Sequence, residues 1–336
     1  MKVLVGFSGG VDSSVTARLL QKAGHEAVGL YLDNTDEKAR REAVAAAEHM
    51  GIELMVEDVR AELEEKVCRP FAESYLRGET PNPCILCNPA VKFRRLLETA
   101  DRIGAEKIAT GHYARARDGS LYKGLPANDQ SYMLCRLTRE QVSRLILPLG
   151  EFEKKQVRAM AAEWGLDAAR KPDSMEICFI PDKNYIRWLS ERTALPGPGD
   201  LVLHGKVIGT HAGIVRWTVG QRVPGLYEGR KLYVSRIDGE RNTVELALWE
   251  ELFRSRVWAR DFNWLTEPPE GPVRASVRVR HTKWETPACS ASREGELVRI
   301  DCDEPVRAPA PGQSAVLYDG ERLLGGGFIL RERERG

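Results

Sequence analysis

Short apolar runs alternate with helical patterns up to about residue 190. The runs predict buried strands, and apolar residues at helical spacing predict amphipathic helices. A repeated strand-helix order predicts the fold class α/β, a doubly wound parallel sheet with helices on both faces. Ligands bind such sheets at the carboxyl ends of the strands. The predicted strands are 2–7, 26–33, 52–59 and 106–113. The first predicted helix ends near Gly24, and the next two are 36–51 and 62–76. A further helix is predicted from about residue 90, and the last is 129–166 with a break near Pro148 and Gly150.

The loop after the first strand, "SGGVDSS" at residues 8–14, is suited to an anion. Backbone N–H groups and the positive end of the helix dipole point out of such a loop. Gly9 and Gly10 allow close approach of a ligand, and the serines add hydroxyl donors. Because it lacks lysine, it is not a Walker A loop, and it is not the Rossmann G-x-G-x-x-G either. A tight turn capped by Asp12 or Ser13 is the plainer alternative.

Composition argues against several classes of protein. The 336 residues include 50 basic and 49 acidic side chains, so a net charge of +1 does not by itself indicate a nucleic-acid partner. The chain starts at once with a strand pattern, unlike a signal peptide, and no apolar run is long enough to span a membrane. We therefore expect a cytoplasmic protein of two or three domains.

The seven cysteines, an odd number, argue against a framework of structural disulfides. Cys84 and Cys87 have C-x-x-C spacing in a stretch rich in Pro, Asn and Gly, residues 77–90, which predicts a loop. One such pair supplies only two ligands, so redox or catalytic chemistry is favoured over structural zinc, and a chance occurrence without function is the remaining alternative. Cys178 has apolar neighbours and by itself is typical of a core position. The other four stand singly in the sequence and are expected to be small buried residues or neutral surface positions: Cys68, Cys135, Cys289 and Cys302.

The composition changes after "ALPGPGD" at 194–200, which predicts a domain boundary. Beyond it, short alternating runs are separated by turn pairs such as Asp238-Gly239 and Asp319-Gly320. This pattern is typical of an all-β region that ends in a small barrel. The Pro-rich stretch 266–272 indicates that the region is divided in two.

Seven dispersed motifs make the chain resemble the tRNA-specific 2-thiouridylases over essentially its whole length. In order, they are "GFSGGVDSSV", "TPNPCILCN" followed by "VKF", "ATGHYAR", "NDQSYML", "KPDSMEICFI", "VGQR" and "PGQSAVLY". The resemblance implies a PP-loop ATP pyrophosphatase domain (1–193) with the adenine nucleotide alpha hydrolase-like fold. A central β-rich domain (194–256) and a C-terminal, tRNA-binding β-barrel (257–336) follow.

The resemblance also implies a reaction. ATP, with Mg²⁺, would adenylate the C2 oxygen of the wobble uridine in tRNAs of the Lys, Glu and Gln type, and the loop would hold the departing pyrophosphate. Sulfur would then displace AMP from a base turned out of the anticodon stack. Asp12 is left as either a metal ligand or an acceptor that orients the loop. The residues implied in ATP binding are Gly6, Phe7, Ser8, Gly9, Gly10, Val11, Asp12, Ser13, Leu32 and Gly111.

The resemblance implies one sulfur route, and the three cysteines suit a second. In one, Cys178 carries a persulfide from a sulfur-donor protein, and Cys87 attacks that persulfide or acts directly on the base. In this chain Cys84 occupies the position where the family usually has an acidic residue, so the persulfide route lacks the carboxylate that assists it. In the other, Cys84, Cys87 and Cys178 hold a 4Fe-4S cluster whose open iron binds free sulfide. Both routes stay open at this point.

The resemblance assigns contact with the tRNA anticodon stem-loop to Asn82, Pro83, His112, Asn128, Asp129, Gln130, Arg280, His281 and Gln313. Without it, the stretch 128–130 is a helix cap and His112 a strand-end residue. Arg274, Arg278 and Arg280 alternate along a predicted strand, with His281 and Lys283 nearby, and are expected to form a basic ladder on one face. Asp173 and Ser174 are expected to shape the Cys178 loop.

Two other functions remain open. An amide-forming PP-loop synthetase, similar to GMP or NAD synthetase, shares the loop but gives no reason for Cys84, Cys87 and Cys178. A non-enzymatic RNA-binding or sulfur-carrier protein would keep the fold and release no AMP. Conversion of ATP to AMP that depends on tRNA separates all three.

Overall fold

The computed structural model describes residues 1–34, 36–171, 177–180, 182–225, 227–282 and 284–331. The expectations for Asp173, Ser174 and Lys283 therefore lie outside the described residues. The chain divides into two units that interleave along the sequence. Unit 1 contains residues 1–67, 84–179 and 321–324, and unit 2 contains residues 68–83, 180–320 and 325–336.

A parallel sheet forms the centre of unit 1. Its strands are β1 (Lys2–Gly6), β2 (Glu26–Asp33), β3 (Leu54–Asp58), β4 (Lys107–Ala109) and, after a hairpin of β5 (Ala114–Arg117) and β6 (Ser120–Lys123), β7 (Leu145–Ile146). They lie in the order β3-β2-β1-β4-β7, and every pairing is parallel. The predicted doubly wound α/β sheet is confirmed.

The described α-helices are α1 (Val11–Lys22), α2 (Glu37–Met50), α3 (Arg60–Leu63), α4 (Arg69–Leu76), α5 (Pro83–Cys87), α6 (Phe93–Ile103), α7 (Arg139–Ser143), α8 (Lys154–Glu163) and α9 (Tyr185–Ser190). Of these, α4 and α9 belong to unit 2. In unit 1, Val3 and Val5 of β1 share one buried cluster with Val15 of α1 and Val157 of α8. Burial of each such side chain stabilises the fold by about 1.5–3 kcal/mol. This packing holds the N-terminus of α1 at the carboxyl end of β1.

The C-x-x-C segment is helical, so the loop predicted for 77–90 is wrong from Pro83 onward. After α5, a π-helical turn covers Asn88–Lys92. Proline is tolerated in the first turn of a helix because the N–H there has no intrahelical acceptor. Pro83 therefore begins a helix instead of stiffening a loop. The Asn88 side chain donates to the Met133 carbonyl at 2.8 Å and anchors the π-helical turn.

The stretch 129–166 is less helical than predicted. Two 3₁₀ turns, Ser131–Leu134 and Pro148–Glu151, lie on either side of α7 and β7. Leu145 of β7 pairs with Ile108 of β4, so sheet pairing overrides the local helical periodicity. The strand predicted at 106–113 is likewise shorter, because β4 ends at Ala109.

Unit 2 contains two β structures. The first is a sheet of β8 (Gly199–Leu203), β9 (Lys206–His211), β10 (Tyr233–Asp238) and β11 (Thr243–Ala247), in the order β10-β11-β8-β9. The second consists of β12 (Phe253–Trp264), β13 (Val273–Arg278), β14 (Thr286–Glu294), β15 (Leu297–Arg307), β16 (Ser314–Asp319) and β17 (Arg322–Ile329), whose first residues are counted with unit 1. Pairing of β12 with β17 closes these strands into an antiparallel barrel. Two β-rich parts, the last a barrel, were predicted and are confirmed.

The basic ladder predicted on β13 is wrong. A β-bulge in the middle of the strand shifts its register, which interrupts the alternation of faces. Arg274 is exposed and pairs with Asp303, whereas Arg278 is buried and pairs with Glu285. Arg280 lies beyond the end of the strand.

Two of the cysteines expected to stand singly are neighbours in the barrel. Cys289 of β14 lies directly opposite Cys302 of β15, and their Sγ atoms are 2.8 Å apart as free thiols. Cys68 and Cys135 are buried thiols, as expected. In the described part of the chain, no helix is long and apolar enough to span a membrane.

Candidate functional site

The loop between β1 and α1 is shaped by its own serines. Ser13 Oγ donates to the Gly10 carbonyl at 3.1 Å and accepts from the Ser8 N–H at 3.2 Å. The Ser8 hydroxyl accepts from the Gly10 N–H at 3.4 Å. Gly10 is the N-cap of α1, and no side chain caps the helix, so the capping predicted as the plainer alternative does not occur. The positive end of α1 therefore opens toward the loop, where an anion binds favourably.

Two glycines let backbone segments meet at this loop. Gly9 has a left-handed φ of +69°, and a Cβ there would lie 2.8 Å from Ala43 Cα. A Cβ on Gly111, just after β4, would lie 2.8 Å from Asp12 Cβ. The first turn of α1 is thus packed closely against the chain that leaves β4.

Asp12 accepts hydrogen bonds from two side chains. The Tyr113 hydroxyl donates to Oδ1 at 2.7 Å, and Lys154 Nζ donates to Oδ1 at 2.8 Å and to Oδ2 at 2.7 Å. Lys154 Nζ also lies 5.6 Å from the centroid of the Tyr113 ring. The observed geometry is that of an acceptor that orients the loop, one of the two roles considered for Asp12.

A second lysine, Lys171, also contacts the loop. Lys171 Nζ donates to the Gly9 carbonyl at 3.3 Å and pairs with Glu42 at 2.8 Å. Sequence reasoning missed both Lys154 and Lys171. Lys154 lies 142 positions from Asp12 and Lys171 lies 162 from Gly9, so no local spacing signals either contact. The loop that lacks its own lysine receives two from elsewhere in unit 1.

The turn that contains Asn128, Asp129 and Gln130 supports the two donors to Asp12. Tyr113 N–H donates to Gln130 Oε1 at 3.0 Å, and Gln130 N–H donates to the Tyr113 carbonyl at 2.8 Å. The Asn128 side-chain amide is assigned so that its nitrogen donates to the Ala127 carbonyl and its oxygen accepts from the Lys154 backbone N–H, at 2.7 Å. Asp129 closes the turn through internal hydrogen bonds. Contact of these residues with tRNA stays a prediction.

The residues predicted to meet adenosine lie at one edge of the sheet. Leu32 lies at the carboxyl end of β2, and Gly111 follows β4. The Phe7 N–H donates to the Leu30 carbonyl at 2.8 Å, which keeps the chain leaving β1 beside β2. Because β2, β1 and β4 are adjacent and parallel, these positions come together with Gly6. Their contact with a nucleotide stays a prediction.

Three cysteines influence one another in unit 1. Cys84 is exposed on α5, and Cys87 is half-buried one turn later. Burial raises the pKa of Cys87 to about 11, and nearby Cys178 and Cys84 raise it too. Cys178 is solvent-accessible, but the surrounding protein still raises its pKa by desolvation. The Asn34 side chain, just after β2, hydrogen-bonds the Cys178 thiol and acts in the opposite direction.

Lys92 supplies a positive charge near these thiols. It belongs to the motif "VKF", and sequence reasoning assigned it no role. Its charge lowers the pKa of both Cys87 and Cys178 against the effect of burial. Burial, and then the same charge, hold the pKa of His112 well below its usual range, so this imidazole is neutral at physiological pH. The His112 ring stacks on Phe93 with centroids 5.8 Å apart. His112 therefore supplies a neutral ring and no positive charge.

Cys178 lies close to the strand beside the phosphate loop. It contributes, after burial and neighbouring carboxylates, to a pKa of Tyr31 raised to about 12. Tyr31 lies near the carboxyl end of β2, and the loop leaves the adjacent strand β1. The Asn34 side chain, directly after β2, hydrogen-bonds the Cys178 thiol, so this thiol lies at the same edge of the sheet as the anion-binding loop that leaves β1.

The described ranges show no group of three or more Cys, His, Asp or Glu side chains that could hold a metal ion. Cys84, Cys87 and Cys178 have the chemistry of iron ligands, and the charges of Cys178 and Cys84 contribute to the raised pKa of Cys87. They do not converge as a ligand set, so as placed they do not fit a 4Fe-4S cluster.

In unit 2, Gln313 holds the segment that precedes α5. Its Nε2 donates to the Thr80 carbonyl at 2.8 Å, and the Thr80 N–H donates to the Pro311 carbonyl at 2.8 Å. Asn82, which is half-buried, and Pro83, which is buried, follow Thr80 closely in the sequence. The side-chain amide of Gln313 thus has a positioning contact, and its contact with tRNA stays a prediction.

The other residues predicted to contact tRNA in unit 2 lie at the end of β13. Arg280 Nη2 donates to the Ala308 carbonyl at 2.7 Å, and His281 is exposed. Trp284, three positions further on, is 86% exposed and was missed by sequence reasoning. The sequence feature that could have indicated it is an aromatic residue directly after the basic stretch "RHTK".

Three family models match successive parts of the chain. The tRNA methyl transferase HUP domain matches residues 1–182, the tRNA methyl transferase PRC-barrel domain matches residues 192–247, and the aminomethyltransferase beta-barrel domain matches residues 254–329.

Full-length relatives are also similar to the chain. The tRNA-specific 2-thiouridylase MnmA of Syntrophotalea carbinolica is 41% identical over 97% of this chain and 98% of its own length. The proteins of the same name from Acetivibrio thermocellus and Carboxydothermus hydrogenoformans are 40% and 41% identical, each over 98% of this chain and over 99% and 97% of their own lengths.

Proposed function

The chain belongs to the tRNA-specific 2-thiouridylase family, and on that premise we propose how its residues carry out the reaction. The protein is a PP-loop enzyme that uses ATP and thiolates tRNA, a tRNA-uridine 2-sulfurtransferase. We infer that its target is the C2 oxygen of the wobble uridine in tRNAs of the Lys, Glu and Gln type. The observation that carries the proposal is the hydrogen bond between Asn34, directly after β2, and the Cys178 thiol, at the sheet edge where the phosphate loop leaves β1.

ATP enters as its magnesium complex, and the uracil C2 oxygen attacks the α-phosphorus. The bond from that phosphorus to the β-phosphate oxygen breaks, and pyrophosphate leaves with the bonding electrons. We assign pyrophosphate to the loop at Ser8–Ser13, where the N-terminus of α1 stabilises negative charge. Asp12 at this loop accepts from Lys154 and Tyr113, so we assign it the role of orienting the loop and not that of a magnesium ligand. The product of this step is a base that carries AMP on its C2 oxygen.

We assign sulfur delivery to Cys178 and Cys87. Cys178 takes a sulfane sulfur from a donor protein and becomes a persulfide. The Cys87 thiolate attacks the Cys178 sulfur, the persulfide S–S bond breaks, and a Cys87–Cys178 disulfide forms as hydrosulfide leaves. Hydrosulfide adds to C2, AMP departs, and loss of a proton gives the thiocarbonyl. An external dithiol then reduces the disulfide for the next turnover.

Lys92 supports this step because the thiolate is the nucleophile. With the pKa of Cys87 raised to about 11, little of this thiol is ionised near neutral pH. The Lys92 ammonium opposes burial at both Cys87 and Cys178. Lys92→Met should therefore slow thiolation more than it slows formation of AMP.

A cluster held by Cys84, Cys87 and Cys178 is the competing sulfur source. The test is iron and acid-labile sulfide content of protein purified without oxygen, together with thiolation by its Cys84→Ala form. We expect iron-free protein to thiolate tRNA and Cys84→Ala to retain most of that activity. A cluster that is lost with Cys84, together with lost thiolation, overturns the thiol-pair route.

We assign part of tRNA binding to the end of β13. Trp284 offers an exposed ring on which a base can stack, and it follows Arg280 and His281 within four positions of the sequence. Stacking of one base is worth about 1–3 kcal/mol, so Trp284→Ala should weaken tRNA binding by roughly 5- to 150-fold. Trp284→Phe keeps an aromatic face and should recover much of the affinity. Equal affinity of wild type and Trp284→Ala contradicts this assignment.

The proposed function is tested by formation of AMP and pyrophosphate with and without tRNA transcripts. We expect formation of AMP to require a transcript with uridine at the wobble position. AMP formation that ignores tRNA favours an amide-forming synthetase, and absence of AMP in all conditions favours a carrier protein.

A further inference from the structure

The phosphate loop carries no lysine of its own, yet two ammonium groups lie against it. That of Lys171 bonds the Gly9 carbonyl and neutralises Glu42. That of Lys154 bonds both oxygens of Asp12, on the first turn of α1, where the helix end opens. Both ammonium groups pair with a carboxylate, but that of Lys154 lies at the first turn of α1, the helix end to which pyrophosphate is assigned.

Lys154 is held in place by several independent contacts. It is the first residue of α8, which begins with a capping box between Glu153 and Gln156. Its backbone N–H donates to Asn128, and its ammonium lies over the ring of Tyr113. The side chain of Lys154 is 23% exposed, so the ammonium is sheltered by protein and still reachable by a ligand. Such a group is poorly screened and acts strongly on a nearby anion.

We propose that Lys154 binds the departing pyrophosphate of ATP and that Asp12 and Tyr113 hold its ammonium ready for that role. The inference rests on the proposed function in one respect, that ATP is split at this loop. When the bond to the β-phosphate oxygen breaks, that oxygen gains negative charge, and an ammonium a few ångströms away stabilises it. Lysine is a common phosphate-binding residue because it acts as a compact point charge. The side chain's flexible stem lets it shift from the carboxylate toward a phosphate oxygen.

Lys155 provides a matched control. It is the next residue on α8, its side chain is 80% exposed, and it pairs only with Glu153 among the ion pairs of the described residues, at 2.8 Å. The probes are inorganic pyrophosphate with magnesium chloride, and AMP, titrated by calorimetry into the full chain. We expect Lys154→Met to bind pyrophosphate about 10- to 100-fold more weakly, the usual effect of a hydrogen bond to a charged group. Lys155→Met should stay within about twofold of the wild type, AMP affinity should not change, and Lys154→Arg should recover part of the loss.

A second variant separates direct binding from the effect of exposing Asp12. In Asp12→Asn/Lys154→Met, both charges of the pair are absent, so the loop has no unpaired carboxylate. Pyrophosphate binding that stays weak in the double variant supports the inference, and recovery to the wild-type affinity overturns it. Equal affinity in Lys154→Met and Lys155→Met, or no pyrophosphate binding by the wild type, overturns it as well. The binding experiment uses no tRNA. Failure of tRNA thiolation would therefore contradict the proposed function without changing the conclusion from pyrophosphate binding.

Discussion

The Lys154 ammonium bonds both carboxylate oxygens of Asp12, although 142 positions separate the two residues. This ion pair joins the first turn of α1 to the first turn of α8. The Tyr113 hydroxyl shares the carboxylate, and the turn at Asn128–Gln130 supports both donors. The stretch predicted to contact tRNA is therefore bonded to the groups that orient the phosphate loop.

Gly9→Ala should destabilise the protein more than Gly10→Ala does. Gly9 has a φ of +69°, and a Cβ there would lie 2.8 Å from Ala43 Cα. Gly10 has a φ of −83°, and its Cβ would meet only Ser8 Oγ, at 3.4 Å. We expect the free energy of unfolding, measured in urea, to fall by about 1–3 kcal/mol for Gly9→Ala. Equal stability of the two variants would contradict this description of the loop.

His112 should make the protein less stable in mild acid. Its folded-state pKa lies below the unfolded value of about 6.5, so the unfolded chain binds more protons between the two values. The stability that His112 contributes is fully present above about pH 6.5 and is lost as pH falls toward the folded-state pKa.

The measurement is the free energy of unfolding at about pH 7.5 and 5.5 for wild type and His112→Gln. The wild type should lose more stability than the variant over this window. His211 also has a lowered pKa, but it is present in both proteins and cancels in the comparison. Identical pH dependence would show that His112 is not held neutral.

Cys289 and Cys302 should form a disulfide when the folded protein is treated with diamide, which takes up the two electrons and two protons released. Their Sγ atoms are 2.8 Å apart across β14 and β15. Mass spectrometry after unfolding should show a linked peptide pair about 2 Da lighter than its reduced form. Cys68 and Cys135, which are buried thiols, are internal controls and should stay alkylatable after unfolding. Recovery of Cys289 and Cys302 as fully alkylated thiols would contradict the pairing.

Local patterns predicted the sheet, because hydrophobic periodicity reports which face of a strand or helix is buried. They also located the phosphate loop, since Gly9, Gly10 and Ser13 act within a few residues of one another. The helix at Cys84–Cys87 was missed because proline is common both in loops and in the first turn of a helix.

The remaining errors concern contacts between distant segments. Nothing near Lys154 or Lys171 indicates that either reaches the loop, and nothing near Cys289 indicates that Cys302 faces it. Likewise, the bulge that interrupts the arginine ladder of β13 depends on its pairing with β14. These features depend on tertiary structure, which a single sequence does not encode in local spacing.

The central claim is that one edge of the sheet activates the base with ATP and that Cys87 and Cys178 then supply sulfur. The most direct test measures AMP and 2-thiouridine in the same reaction for wild type, Cys87→Ser, Cys178→Ser and the buried control Cys135→Ser. We predict that both site variants still form AMP in the presence of tRNA and form no 2-thiouridine, while Cys135→Ser makes both products. Thiolation at the wild-type rate by Cys87→Ser or Cys178→Ser would contradict the account.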